Sequence, residues 1–168
     1  MTVRITAKGF DALTELWQHS PAIVQNELSS AMNEAVAYAQ YQIVSRTPTG
    51  AGEGGHLAAS INSEVIINPS VQIGYVGTSK LYAEAVELGT KPHMPPIEPL
   101  VNWVEAVLNL EGLEAEKVAT LIALKIKSRG TEGQFMFKEG LEASEPYIQE
   151  RFNQAMKTLL NTLGGGNA

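Results

Sequence analysis

Residues 20–45 read SPAIVQNELSSAMNEAVAYAQYQIVS, and apolar side chains step through them by three or four: Val24, Leu28, Met32, Ala35, Ala39 and Ile43. That is the spacing of one face of an α-helix. Ser20-Pro21 supplies the start, a capping hydroxyl followed by proline at the first helical position, where a missing N–H costs nothing. The spacing predicts a helix from Ser20 to about Ser45. Its back is unusual. Between Ser20 and Val44 only Glu27 and Glu34 are charged, seven residues apart and so on one face, and the other non-core positions are Asn, Ser, Ala, Gln and Tyr. A solvated helix face carries more charge than this. Two readings follow: the back packs on another copy of the chain, or its own domain covers the helix on both sides.

On the N-terminal side, Val3 to Ala7 alternates apolar and polar residues, a short strand ended by Gly9, and Phe10 to Trp17 has the spacing of a short helix. On the C-terminal side, Thr47 to Gly55 (TPTGAGEGG) is a loop. It contains G-x-G-x-x-G at Gly50, Gly52 and Gly55, but a dinucleotide fingerprint needs a strand before the glycines. Here a long helix and Pro48 precede them, and Glu53 sets a negative charge where a pyrophosphate belongs, so the match is chance. Ile61 to Ile67 and Val71 to Val76 are β-branched runs joined by Asn68-Pro69-Ser70, a hairpin.

Tyr82 to Pro99, YAEAVELGTKPHMPPIEP, starts with an amphipathic half, Tyr82 to Leu88, which Gly89-Thr90 breaks. Prolines at 92, 95, 96 and 99 then fix φ, remove donors and bias the preceding residues toward extended backbone. The result is a stiff loop with Lys91, His93 and Met94 projecting from it. It reads either as a contact element or as a rigid connector into the helix beginning at Pro99. That helix carries Leu100, Trp103, Val104, Val107 and Leu108 as a stripe that Gly112 ends. A further helix from about Ala115 to Ser128 sets Val118, Leu121, Ile122 and Lys125 on one side and stops at Arg129-Gly130. Phe135-Met136-Phe137 reads as a short extended or irregular piece. Ser144 to Leu163 reads as the last helix, capped by Ser144 with Pro146 in its first turn, before a Gly164-Gly165-Gly166 tail. No repeat or linker divides the chain, so the expectation is one domain over 1–163 and a flexible tail over 164–168.

Composition narrows the function. Hydrophobic content of 44% and charged content of 18% are globular values. No apolar run approaches the roughly 20 residues a membrane helix needs, and MTVRITAKGF lacks the apolar core of a secretory signal. The chain has no cysteine, which removes disulfides, thiolate metal sites and cysteine nucleophiles together. The net charge of −6, from 12 basic and 18 acidic residues, opposes nonspecific nucleic-acid binding, which neutralises phosphates with Lys and Arg.

Catalytic signatures are lacking. His19, His56 and His93 stand far apart, and none has a partner at metal-ligand spacing on a helix. Glu84 and Glu87 could share a helix face as a carboxylate pair, with His93 as a nearby base or ligand. The plain alternative is two solvated or interface carboxylates and a surface-loop histidine. The sequence expectation is no enzyme, no cofactor and no metal site.

The order of several short motifs is more specific than any one of them. Thr47-Pro48-Thr49-Gly50 follows the long helix, and His56-Leu57 and Ser60-Ile61 come next. Gly77-Thr78 closes the hairpin. Tyr82-Ala83, Val86-Glu87, Gly89-Thr90-Lys91-Pro92-His93 and Pro95-Pro96 follow, and Arg129-Gly130-Thr131, Phe135 and Leu141 come before the last helix. This order resembles the small neck and tail-completion proteins of long-tailed phages, the head–tail joining or minor tail components. The resemblance implies an α+β fold, with a long N-terminal helix packed on a small, mostly antiparallel sheet and further helices in the C-terminal half.

It also implies a non-enzymatic virion protein, assembled in the bacterial host cytoplasm. Such a protein forms or joins an oligomeric ring at the head–tail interface, beside neighbouring neck or tail proteins. DNA only passes through the channel and no membrane is involved. By position, the resemblance makes Tyr82, Glu87, Gly89, Thr90, Lys91, Pro92, His93, Pro95 and Pro96 the candidate protein-interaction residues. The chain departs from the family's pattern by interposing Ala51 to Gly55 and by placing Ala58-Ala59 where basic residues are usual. No grip on an acidic partner is therefore carried over to that loop. Two other classes stay open: a small hydrolase or metal-dependent enzyme built on Glu84, Glu87 and His93, and a host-directed module that binds protein through the proline loop.

Overall fold

A computed structural model describes residues 1–6, 21–48, 56–68 and 71–164. The expected Phe10 to Trp17 helix, the Ser20 cap, most of the 47–55 loop, the Pro69-Ser70 turn and the glycines after 164 lie outside the described residues. The chain divides into two compact units, one built from 2–43, 62–77 and 138–168 and the other from Met1, 44–61 and 78–137. The fold is α+β: a long helix packs on a small antiparallel sheet, and further helices occupy the C-terminal half.

The first unit holds the sheet and most of the two long helices. Helix α1 is Pro21–Arg46, and all six residues of its predicted stripe are buried, joined by Ala31 and Val36. Strands β1 (Thr2–Thr6), β2 (Asn62–Asn68) and β3 (Val71–Gly77) form an antiparallel sheet in the order β1-β3-β2. The β2–β3 register runs from Asn62 opposite Gly77 to Asn68 opposite Val71. This register aligns Ser63 with Val76 and Val65 with Gly74, and alternation puts these pairs on one face.

That face meets α1. Ser63 Oγ donates to Gln40 Oε1 at 2.7 Å, and Gln72 Nε2 donates to Ser29 Oγ at 3.0 Å. Gly74 sets the closeness of approach. A Cβ there would overlap Val36 Cγ1 and stand 3.1 Å from Met32 Sδ, so helix and sheet touch where the sheet has no side chain.

Helix α6, Met136–Gly164, covers another side of α1. Val24 and Leu28 cluster with Leu159, and Phe152 and Met156 pack against them. Tyr38 stacks on Tyr147 with ring centres 4.1 Å apart. At Gly140 an added Cβ would lie 2.6 Å from Ile43 Cγ1 and 2.8 Å from Ile43 Cα, so the two backbones cross with no room for a side chain. The two isolated charges of α1 also find their partner here. Arg151 donates to Glu34 at 2.8 and 2.9 Å and to Glu27 at 3.2 Å. The hydrogen bonds from Arg151 hold the Glu34 carboxyl below its ordinary pKa, against a smaller desolvation effect.

The second of the two readings of the helix back therefore accounts for most of it, because sheet and α6 both cover α1. Along its middle, Asn26, Ser30, Asn33, Glu34, Ala37 and Tyr41 stay exposed, a strip whose one charge, Glu34, is held by Arg151.

Helix α6 corrects the sequence reading. It begins at Met136, eight residues before Ser144, and absorbs the piece expected to be extended. Ser144 does not cap. Its buried Oγ donates to Gly140 O at 2.6 Å, the i−4 back-bond of a helix interior, and Pro146 sits within the helix. Ser-x-Pro carries the pattern of a start, but the earlier turns gain a cap that comes from elsewhere in the chain, described below.

In the second unit, helices α2 (His56–Ser60), α3 (Ala83–Leu88), α4 (Ile97–Leu108) and α5 (Gly112–Arg129) accompany a two-residue ladder of β4 (Gly89–Thr90) and β5 (Thr131–Glu132). Helix α4 ends at Asn109 in the left-handed region, φ 52°, three residues before the expected stop at Gly112, which instead opens α5. Asn is the residue that tolerates this conformation best after glycine. The α4–α5 core is Val104 against Ala115 and Ala119, flanked by Leu100, Val101, Val118 and Ile122. The expected stripes are only partly inside: Trp103, Val107, Leu108 and Leu121 are exposed, and α5 buries its alanines instead. Small side chains let α4 approach closely, which turns Leu121 outward.

Candidate functional site

The candidate loop follows α3. Only Ala83 and Glu87, four residues apart, are buried in that helix, and Leu88 faces outward. Gly89 ends it with φ 75°, a left-handed value that favours glycine. The chain then pairs with β5, Gly89 opposite Glu132 and Thr90 opposite Thr131. Thr90 and Thr131 share a hydrogen bond between their hydroxyls at 3.0 Å. The pairing requires bare backbone on both sides. A Cβ on Gly89 would overlap Thr131 O, and one on Gly130, φ 74°, would overlap Thr90 O. A third glycine, Gly133, faces Glu87 O, which an added Cβ would approach to 2.5 Å.

Glu87 completes the clamp with both backbone and side chain. Gln134 N donates to Val86 O at 2.9 Å, and Phe135 N donates to Glu87 O at 3.1 Å. Phe135 turns with φ 50°, and the next donor, Phe137 N, reaches Glu87 Oε2 at 2.8 Å. Phe137 is the second residue of α6, so its N–H has no partner within the helix. A carboxylate there satisfies the orphan donor and meets the positive end of the helix dipole. This is the cap that lets α6 start at Met136.

From this base the loop projects. Lys91, Pro92, His93, Met94 and Pro96 are exposed and Pro95 is half-buried. His93 donates Nδ1–H to Lys91 O at 2.9 Å, which fixes the ring. Pro96, with φ −58°, leads into α4, whose third residue is Pro99. Tyr82, at the N-terminal end of α3, is also exposed.

The candidate residues thus occupy one continuous element, with Glu87 the exception. Its side chain is 1% exposed and anchors the loop from within instead of presenting a charge. Glu84 is exposed, so the two carboxylates share no environment, and exposed His93 is tied to a backbone carbonyl. Among the described residues no group of three or more His, Asp or Glu could hold a metal ion, and no helix is long and apolar enough to cross a membrane.

Two motif groups distant in sequence meet. Gly89-Thr90 pairs with Thr131 beside Gly130, and Ser60 Oγ lies 2.6 Å from Thr78 Oγ1. Sequence reasoning about the loop leaves out Thr131, Gly133 and Phe137 as its base. The signal available for them is two glycines, 130 and 133, bracketing Thr131-Glu132, a pattern that suits a short paired segment. In comparisons with known proteins, no family model, no curated protein and no solved structure matches the chain.

Proposed function

We propose that the chain is a structural protein of a phage virion. It works at the head–tail interface as a neck or tail-completion component that forms or joins a ring around the DNA channel. One observation carries the reading: a proline-stiffened, exposed loop, 91–96, rises from a base built by two distant motif groups and locked by a buried glutamate. A loop held this rigidly loses little conformational freedom on docking, which favours a geometric role. The loop offers a cation, an imidazole, a thioether and proline rings, a surface suited to protein. The net charge of −6 fits a channel wall from which DNA is repelled as it passes.

The test is native mass spectrometry of the purified chain, alone and mixed with portal assemblies or tail tubes, with negative-stain images of the products. A closed ring of discrete size, free or on either platform, supports the proposal. A chain that closes no ring and stays unbound with both platforms refutes it.

A further inference from the structure

We infer that helix α5 is a self-association surface, which pairs antiparallel with α5 of a second copy of this chain about a two-fold axis near Thr120 and Leu121. Helical spacing puts Leu113, Lys117, Leu121 and Leu124 on the face opposite buried Ala115, Ala119 and Ala123. Leu113, Leu121 and Leu124 are 73%, 66% and 49% exposed, an apolar stripe that no described residue covers. Isolated exposed leucines need no explanation, but three on one face of one helix form a seam.

The charges beside the stripe identify the occupant. Glu114 and Glu116 lie near the start of α5 and Lys125 and Lys127 near its end, all exposed. Among the described residues, the ion pairs within the chain belong to Arg151 and leave these four out. Glu114 and Lys125 are 11 residues apart, as are Glu116 and Lys127 (125 − 114 and 127 − 116). Eleven residues make about three helical turns, so each edge of the stripe carries one acid and one base.

A parallel partner would set acid against acid and base against base. An antiparallel copy sets Glu114 against Lys125 of the second copy along one edge and Glu116 against Lys127 along the other. The two-fold axis then repeats both pairs. Leu121 meets its counterpart at the axis, and Leu124 lies along the aliphatic stem of the facing Lys117. The helix dipoles also run opposite. A surface that is complementary to itself in charge, and apolar at its centre, fits a copy of itself.

The contact is independent of the proposed place in a virion, because a ring is closed by heterologous contacts and this one is isologous. A helix of 18 residues spans about 27 Å, so one face gives a small interface and a reversible dimer.

Sedimentation equilibrium on the full chain, from about 1 µM to about 1 mM, tests the inference. The natural chain is expected to show a monomer–dimer equilibrium. Glu114→Lys with Glu116→Lys, and separately Lys125→Glu with Lys127→Glu, should each raise the dissociation constant roughly tenfold or more, because four attractive pairs become repulsive. An equimolar mixture of the two variants should form the heterodimer, and the chain carrying all four substitutions should dimerise again. Leu121→Glu, at a solvated position, should abolish the dimer without changing the helical circular dichroism. A chain monomeric over the whole range overturns the inference. So does a dimer indifferent to both charge reversals, or a variant mixture that stays monomeric.

Discussion

Replacing Glu87 should unfasten α6 from its first turn. Its carboxylate is buried and accepts from Phe137 N at 2.8 Å. Truncation to alanine leaves the donor unpaired inside the protein. Hydrogen bonds to charged groups contribute about 1.5–3 kcal/mol, and losing a helix cap costs about 0.5–2 kcal/mol; these describe the same contact and are not summed. With the packing volume lost as well, Glu87→Ala should cost about 3 kcal/mol. At a sensitivity of about 2–4 °C per kcal/mol for this chain length, Tm should fall by about 6–12 °C. Glu87→Gln keeps an acceptor and most of the volume but loses the charge facing the helix dipole. That loss is worth about 1 kcal/mol, or about 2–4 °C. Thermal denaturation followed at 222 nm measures both, and hydrogen exchange at the Phe137 amide localises the effect. A loss below 2 °C in the alanine variant, or unchanged exchange at Phe137, would refute the capping argument.

Gly74→Ala should cost about 1–3 kcal/mol through overlap with Val36, and Val36→Ala in the same chain should recover part of it; a double-mutant cycle in urea reads the coupling. Gly130→Ala should be worse than an ordinary surface substitution, since it forces a side chain to φ 74° against Thr90 O; loss of amide protection at Thr90 and Thr131 is the check. Because Arg151 lowers the Glu34 pKa, the pair's stabilisation is complete above the ordinary carboxylate range and disappears as pH falls through the lowered value. Arg151→Gln should move the Glu34 titration upward by NMR and cost about 1 kcal/mol at pH 7 after allowing for solvent screening, with the deficit vanishing at low pH. Pro95→Ala and His93→Ala should leave Tm within about 1 °C while weakening docking on tail tubes or portal assemblies, measured by co-sedimentation.

Periodic segments were readable because their period is their burial. Every residue of the Val24 to Ile43 stripe lies in the core, and the hairpin falls where the β-branched runs end. Helix α5 was harder for a physical reason. Its expected side, Val118, Leu121, Ile122 and Lys125, is only partly inside: Val118 and Ile122 pack on the α4–α5 core, whereas Leu121 and Lys125 are exposed and Ala115, Ala119 and Ala123 are buried. Close approach of Val104 selects the alanines, a choice made by the neighbour's shape and invisible in α5 alone. The Glu27–Glu34 face is similar. Seven-residue spacing reveals the shared face, but the cation that occupies it is more than a hundred residues away.

The candidate loop divides along the same line. Its stiffness is local chemistry, written in four prolines and a glycine, and residues 91–96 lie outside helix and strand and are mostly exposed. The role of Glu87 is not local. Beside Glu84 at i, i+3 on a short amphipathic segment, a glutamate reads as solvated, since burying an unpaired carboxylate is costly. What reverses that expectation is a helix N-terminus 50 residues later, whose orphan N–H repays the desolvation. The same contact explains why Ser144-x-Pro146 misleads as a helix start: a cap delivered through space lets the helix begin before the residues that resemble a beginning. One buried oxygen therefore settles two assignments at once, the start of α6 and the orientation of Glu87. Neither could be derived without the other, because each supplies the partner that makes the other's burial affordable.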